Sequence, residues 1–162
     1  MTAKRFYITP EGKKMMEEKL ENMAIRIKEI QEEKAVAYVI SGDGWHDNPG
    51  FNQLEQMEHR AVEEMVKLKQ HMNAAVVWEV TDERKQQVQI GSTVTYTQTP
   101  IHGGKAQKMI WTIVGHGESN VRQKKISYDS PLGKALMDKR IGEKAMLKIP
   151  MGEFELEVVS LS

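Results

Sequence analysis

Two heptad seams, separated by a short acidic interruption, constrain this chain more than any other feature of its sequence. In the first seam Met16, Leu20, Met23, Ile27, Ile30, Lys34 and Ala37 follow one another at intervals of 4, 3, 4, 3, 4 and 3 residues. In the second, Phe51, Leu54, Glu58, Ala61, Met65, Leu68, Met72 and Ala75 repeat the pattern. A stripe with that period lies along one face of a helix, and its burial requires a second helix with a matching stripe. The two segments are expected to pair as an antiparallel hairpin across the joining segment, beside the plainer reading of a dimerising or adaptor coiled coil. Some 30 residues per helix at about 1.5 Å each give a hairpin roughly 45 Å long. Each seam has one polar member, Lys34 in the first and Glu58 in the second. In an antiparallel hairpin both lie toward the same end, where they can pair and set the register.

The ends of these helices are marked. Thr9 precedes Pro10, and Asn48 precedes Pro49. In each pair a side chain able to accept from free backbone N–H groups stands before a proline, which loses no bond in the first helical turn. Helix one is expected to close at Ser41-Gly42, with Gly42 in the left-handed conformation past a helix C-terminus. Between the helices lies a tip, residues 41–49, reading Ser41-Gly42-Asp43-Gly44-Trp45-His46-Asp47-Asn48-Pro49. It holds two carboxylates, and no Lys or Arg lies between Lys34 and Arg60.

Charge and composition narrow the function. The formal net charge is 0, but residues 10–75 carry 9 basic and 13 acidic side chains, whereas residues 76–162 carry 12 basic and 10 acidic. No basic stripe is present to displace phosphate counterions, so autonomous nucleic-acid binding is not expected. With 0 cysteines, disulfides, thiol nucleophiles and Cys-ligated metals are excluded. No apolar run approaches the roughly 20 residues of a membrane span, and no apolar stretch follows Lys4 and Arg5 as in a secretory signal. A cytoplasmic location is the expectation. The histidines at 46, 59, 71, 102 and 116 lack zinc-ligand spacing.

Beyond residue 78 the period changes from helical to alternating. Val88 to Thr97, Gln107 to Val114 and Lys124 to Tyr128 read as strands, with a turn at His102-Gly103-Gly104. Ser130-Pro131 opens a short helix through Met137, and Ala145 to Ile149 pairs with Phe154 to Leu161 across Pro150-Met151-Gly152. The expected fold class is α+β: an N-terminal antiparallel helical hairpin over residues 1–78 and a small, mainly antiparallel sheet with one short helix over 88–162. A linker is expected over 79–87. The cluster Arg122, Lys124 and Lys125 reads as a solvated strand edge.

Four motifs, in order along almost the whole chain, carry a family resemblance. They are Ile8-Thr9-Pro10-Glu11-Gly12, then Gly42-Asp43 with Asp47-Asn48, then Tyr128-Asp129-Ser130-Pro131-Leu132-Gly133-Lys134-Ala135-Leu136 followed by Gly142, and finally Lys148-Ile149-Pro150-Met151-Gly152. Together they resemble the bacterial Gre transcript-cleavage factors, the GreA/GreB family. The resemblance implies an FKBP-like C-terminal domain that docks at the rim of the RNA polymerase secondary channel. On the matching positions, docking falls to Asp129, Ser130, Pro131 and Leu132. It also implies a hairpin that reaches the polymerase active site, where Asp43 and Asp47 help hold the second catalytic Mg²⁺ while the polymerase hydrolyses backtracked RNA. The chain is then an activator and not itself an enzyme. Its expected partners are RNA polymerase and, indirectly, the nascent RNA 3′ end, and it is expected to act as a monomer.

The tip departs from the family pattern. The usual tip reads Gly-Asp, two residues, then Glu-Asn; here three residues, Gly44-Trp45-His46, intervene and the second acid is the shorter Asp. Asn48 is expected to cap helix two and leave Asp47 free to ligate. Trp45 is expected either to fold back on Phe51 or to stack against RNA or a polymerase element, and His46 to be a solvated loop histidine or else to tune the tip's charge near neutral pH. Two other readings stand beside the activator: a Gre-like inhibitor using the same channel, supported by the altered tip, and a coiled-coil adaptor without metal chemistry.

Overall fold

A computed structural model describes residues 5–79 and 86–162. The elements in chain order are β1 (Phe6–Ile8), α1 (Pro10–Ser41), a 3₁₀ turn (Gly42–Asp47), α2 (Pro49–Ala74), β2 (Ala75–Val77), β3 (Thr93–Pro100), β4 (Gln107–Val114), β5 (Lys125–Ser127), α3 (Pro131–Leu136), β6 (Lys144–Ile149) and β7 (Gly152–Leu161). The chain divides into two compact units. One runs from Lys13 to Ala75; the other joins the N-terminal segment through Gly12 to the chain from Val76 onward.

The helical unit follows the heptad reading residue by residue. Between Lys13 and Ser41, the only α1 positions that are not exposed are 16, 20, 23, 27, 30, 34, 37 and 41, a run of alternating fours and threes. Ile27 and Ile30 are buried. Position on the seam outweighs polarity: the Lys34 side chain is 24% exposed, whereas Val39 and Ile40, off the seam, are each 78% exposed. On α2, Phe51 is buried and Leu54, Glu58, Ala61, Met65, Leu68 and Met72 are half-buried.

Lys34 and Glu58 form the expected ion pair, and Gln31 Nε2 donates to the other Glu58 oxygen at 2.7 Å. The remaining ion pairs of this unit, among the described residues, run within single helices: Lys13–Glu17, Lys14–Glu18, Arg26–Glu29, Lys28–Glu32 and His59–Glu63. Such exposed pairs contribute little and carry no information about register. Lys34 Nζ also sits 5.9 Å from the centroid of the Phe51 ring.

The second unit holds a five-stranded sheet in the order β5-β4-β3-β7-β6. Its pairs are antiparallel except β4 with β5, which run parallel, so the sheet is mixed though mainly antiparallel. A parallel neighbour needs a crossover, and here the chain between residues 115 and 124, with a short 3₁₀ turn at Val121–Gln123, supplies it. Val94 and Tyr96 on β3 and Leu156 and Val158 on β7 alternate into a core completed by Val88, Ile90, Ile113, Leu136 and Leu147. Each fully buried aliphatic side chain contributes about 1.5–3 kcal/mol.

The strand expected from Val88 to Thr97 is shorter at its start: β3 begins at Thr93 and runs on to Pro100. Val88, Gln89 and Ile90 are buried in succession and do not alternate. Their backbone is claimed elsewhere. Val88 N donates to Lys139 O at 2.8 Å, and Asp138 N donates to Val88 O at 2.9 Å. A turn at Ile90-Gly91 then redirects the chain into β3. The linker expected over 79–87 lies mostly outside the described residues.

The unit boundary also differs from the expected 1–78 and 88–162. β1 pairs with β2, Trp78 N donates to Ile8 O at 2.8 Å, and His116 N donates to Tyr7 O at 2.8 Å. Glu118 completes the anchorage, accepting from Thr9 N at 2.8 Å and Thr9 Oγ1 at 2.6 Å. Strands of three residues show no period, so these pairings could be read only from the fold.

The Glu58 carboxyl is held below the usual carboxylate range, first by the hydrogen bond from Lys34 and then by that from Gln31. Its contribution is therefore present above the unfolded-state value of about 4.3 and is lost as pH falls through the lower folded-state value. Glu58→Gln should lower hairpin stability by about 1–2 kcal/mol at pH 7. Urea unfolding should show that difference shrinking as pH drops below about 4. The exchange of Lys34→Glu with Glu58→Lys should recover much of the loss caused by either change alone.

Candidate functional site

The tip is built on one asparagine. Asn48 Oδ1 accepts from Gly50 N at 2.8 Å and Phe51 N at 3.4 Å, capping α2, while its Nδ2 donates to Ser41 Oγ. Ser41 Oγ in turn donates to the Ala37 carbonyl at 2.8 Å. One side chain thus ties the start of α2 to the end of α1. Gly42 has φ +53 with open space around its missing side chain, so the demand there is conformational and not one of room.

Between these fixtures the chain winds as a 3₁₀ helix from Gly42 to Asp47. Trp45 does fold back: its ring lies 5.0 Å from Phe51 in an edge-on contact and 5.7 Å from Tyr38. His46 lies against it with ring centroids 3.4 Å apart and ring planes tilted by 36°. Trp45 O accepts from Asn48 N at 3.2 Å, and His46 O accepts from Asn52 Nδ2 at 3.3 Å.

Asp43 and Asp47 are exposed, and neither makes an ion pair or hydrogen bond through its side chain among the described residues. Glu17, Glu18, Glu29, Glu32, Glu58 and Glu63 of the same hairpin each have a basic partner, whereas Glu21, Glu33, Glu55 and Glu64, like the tip acids, have none among the described residues. An ideal 3₁₀ winding sets the two carboxylates on different sides of the turn. At 3.0 residues per turn and about 2.0 Å rise, residues four apart in a 3₁₀ helix are offset by about 120° and about 8 Å along the axis. Residues three apart eclipse, so it is His46 that shares a face with Asp43. Among the described residues, no group of three or more His, Asp or Glu side chains is placed to hold a metal ion.

The second expected site, residues 129–132, is engaged in the fold of the sheet unit. Ser130 caps α3: its Oγ accepts from Gly133 N at 3.0 Å and donates to Ser127 O at 2.7 Å. Asp129 accepts from Ser127 Oγ through one oxygen and meets His116 Nδ1 with the other. Its carboxyl is held below the usual range, first by the Ser127 hydrogen bond. Leu132 packs on the core, and Pro131 is exposed. Of the four, Pro131 offers the freest surface. Sequence reasoning missed Ser127 and His116, which orient Asp129, and Ser41, which orients Asn48. Only Ser41 carried a local signal, a hydroxyl four residues past a helical carbonyl.

Comparison with known proteins agrees with this organisation. A family model described as "Transcription elongation factor, GreA/GreB, C-term" matches residues 83–162. The chain is 32% identical over 161 residues to transcription elongation factor GreA of Bacillus cytotoxicus, covering 99% of this chain and 98% of that one. It is likewise 32% identical over 161 residues to GreA of Bacillus cereus, with the same coverage. Among solved structures it is similar to GreA factor homolog 1 of Thermus thermophilus, with 25% identity, coverage of 98% and 99%, and a TM-score of 0.43. A two-helix hairpin with a free acidic tip and a separate small sheet unit defines a two-part factor. The chain belongs to the GreA/GreB family of transcription elongation factors.

The glycine of the family signature has a steric cause. A Cβ on Gly133 would stand 2.1 Å from the Ser127 carbonyl oxygen and 2.9 Å from Tyr128 Cα, both backbone. Gly133→Ala should therefore cost about 1–3 kcal/mol in urea unfolding of the whole chain. Gly44→Ala at the tip, which would meet nothing within 4 Å, should stay within about 0.5 kcal/mol of the parent.

Proposed function

We propose that this factor acts on RNA polymerase, with the sheet unit docking at the rim of the secondary channel and the hairpin carrying Asp43 and Asp47 to the active site. There they help hold the second catalytic Mg²⁺ while the polymerase cleaves backtracked RNA. The observation that carries this reading is the pair of exposed, unpartnered carboxylates at the end of the hairpin, in a stretch with no Lys or Arg between Lys34 and Arg60. Docking falls to Asp129, Ser130, Pro131 and Leu132, with Pro131 outermost.

The donor set fits the ion. Mg²⁺ takes hard oxygen ligands, is commonly held by one or two carboxylates and keeps several waters. When bound in a two-metal site, it helps activate water and neutralise charge on the leaving oxygen. The chain's own residues do the rest. Asn48 and Ser41 hold the ends of the 3₁₀ turn, and the absence of Lys and Arg from residues 35–59 leaves the carboxylate charge uncompensated. The ion's other ligands come from the polymerase, and since an ideal 3₁₀ winding sets the two carboxylates on different sides of the turn, both reach one ion only if the turn rearranges on the enzyme.

That divergence also favours a second reading. With two intervening residues the acids of a 3₁₀ tip would eclipse; with three they lie about a third of a turn apart. A tip that brings only one carboxylate to the metal would occupy the channel and slow transcription without promoting cleavage.

Backtracked elongation complexes incubated with the chain and Mg²⁺ distinguish the two. Under the activator reading RNA shortens, and Asp43→Asn and Asp47→Asn each slow cleavage by about 10- to 100-fold, the range seen when a metal's ligand environment is disturbed. Slowed elongation with no shortening would establish the inhibitor instead. Failure to bind polymerase would overturn both.

A further inference from the structure

The tip carries an aromatic column that neither metal ligation nor helix capping uses. Its base is Phe51, buried at 7% exposure on the first turn of α2. Trp45, half-buried, meets Phe51 edge-on at 5.0 Å and is flanked by Tyr38 of α1 at 5.7 Å. His46, exposed, lies on Trp45 with centroids 3.4 Å apart. Exposure rises from buried Phe51 through half-buried Trp45 to exposed His46, whose ring plane is tilted 36° to that of Trp45, so the cluster ends in an exposed aromatic ring.

The column is held in place. Backbone carbonyls of both Trp45 and His46 are engaged, by Asn48 N and Asn52 Nδ2. The His46 ring nitrogens make no hydrogen bond or ion pair among the described residues. Packing a tryptophan between two helix ends is sufficient to close the hairpin. Placing a further aromatic ring over it, in solvent, adds nothing to that closure.

We propose that the Trp45–His46 stack is a platform for an unpaired nucleobase, the terminal base of the displaced RNA 3′ end. This rests on the functional reading above, since it needs the tip to reach that end. Two observations favour a nucleobase over a protein side chain. The summit is an exposed planar ring, which suits the π-face every base presents. It also shares the turn with Asp43 and Asp47, exposed carboxylates that would supply hard oxygen donors to a metal ion near the RNA 3′ end. Phosphate alone would be repelled by the acidic tip, so contact must come through the base and the ion. Stacking positions the 3′ nucleotide relative to Asp43 and Asp47; His46 is a positioning residue with no proton transfer assigned to it. The acidic residues of its own turn are Asp43 and Asp47.

The test uses backtracked complexes bearing 2-aminopurine at the RNA 3′ end, the full chain, and co-sedimentation to confirm that the factor is bound. Bound parent factor should quench the probe, and His46→Phe, which keeps the ring without the imidazole, should quench it as well. His46→Ala should lose the quench and cut RNA about tenfold more slowly, with a larger deficit for purine than for pyrimidine 3′ ends. Bound factor without quenching would overturn the stack alone, as would equal behaviour of parent and His46→Ala. Loss in His46→Phe matching that in His46→Ala would overturn it in favour of imidazole chemistry. Quenching that survives Asp43→Asn with Asp47→Asn while cleavage is lost supports the stack separately from the metal. A factor that never binds polymerase overturns the functional reading and the stack together.

Discussion

One half-buried ion pair sets the geometry on which the rest of the hairpin depends. Seams of Met, Leu, Ile and Ala bury apolar area in any register that keeps the stripes face to face, because those side chains substitute for one another with little loss. Lys34 and Glu58 do not. Held off solvent by their seam positions, they must meet, since shifting one helix by a turn would leave each charge half-desolvated and alone. Gln31 occupies the second Glu58 oxygen and narrows the choice further. With the register set, Phe51 arrives beside Tyr38, and the tip has a floor on which Trp45 can rest.

The tip shows how a short segment can be rigid in its backbone and open in its chemistry. Its ordering bonds are carried by Ser41, Asn48 and Asn52, uncharged side chains that leave Asp43 and Asp47 unengaged. A lysine in the turn would have stabilised the fold and neutralised the site. The 3₁₀ winding then decides what shares a face: Asp43 goes with His46, and Asp47 goes with Gly44. Three residues between the acids therefore mean more than a longer spacer, because they change which side of the turn the second carboxylate occupies.

In the sheet unit the most specific family motif is engaged in structure. Ser130 caps α3, Gly133 admits the Ser127 backbone, Leu136 is fully buried, and Asp129 is braced between Ser127 and His116. The result is a short helix start held firmly enough to present Pro131 at a defined place. Glu118 does similar work at the N-terminus, where three donors from Thr9 and Gly115 converge on one carboxylate and bind β1 to the sheet unit.

Sequence alone determined the features whose cause is local or periodic. The seam positions, the caps at Asn48 and Ser130, the bend at Gly42 and strands such as Gln107 to Val114 are each specified by residues within a turn or two, or by a repeat that survives in one dimension. The family, too, was legible, because ordered short motifs persist in sequence. Tertiary structure decided what depends on partners far along the chain. The brief pairing of β1 with β2, the parallel run of β5, the late start of β3 and the bracing of Asp129 by His116 all join segments whose own patterns are too short or too polar to announce a partner. The tip falls between the two. Its acids, tryptophan and histidine can be read directly, but their facing is set by the handedness and pitch of a turn that forms only once both helices are in register.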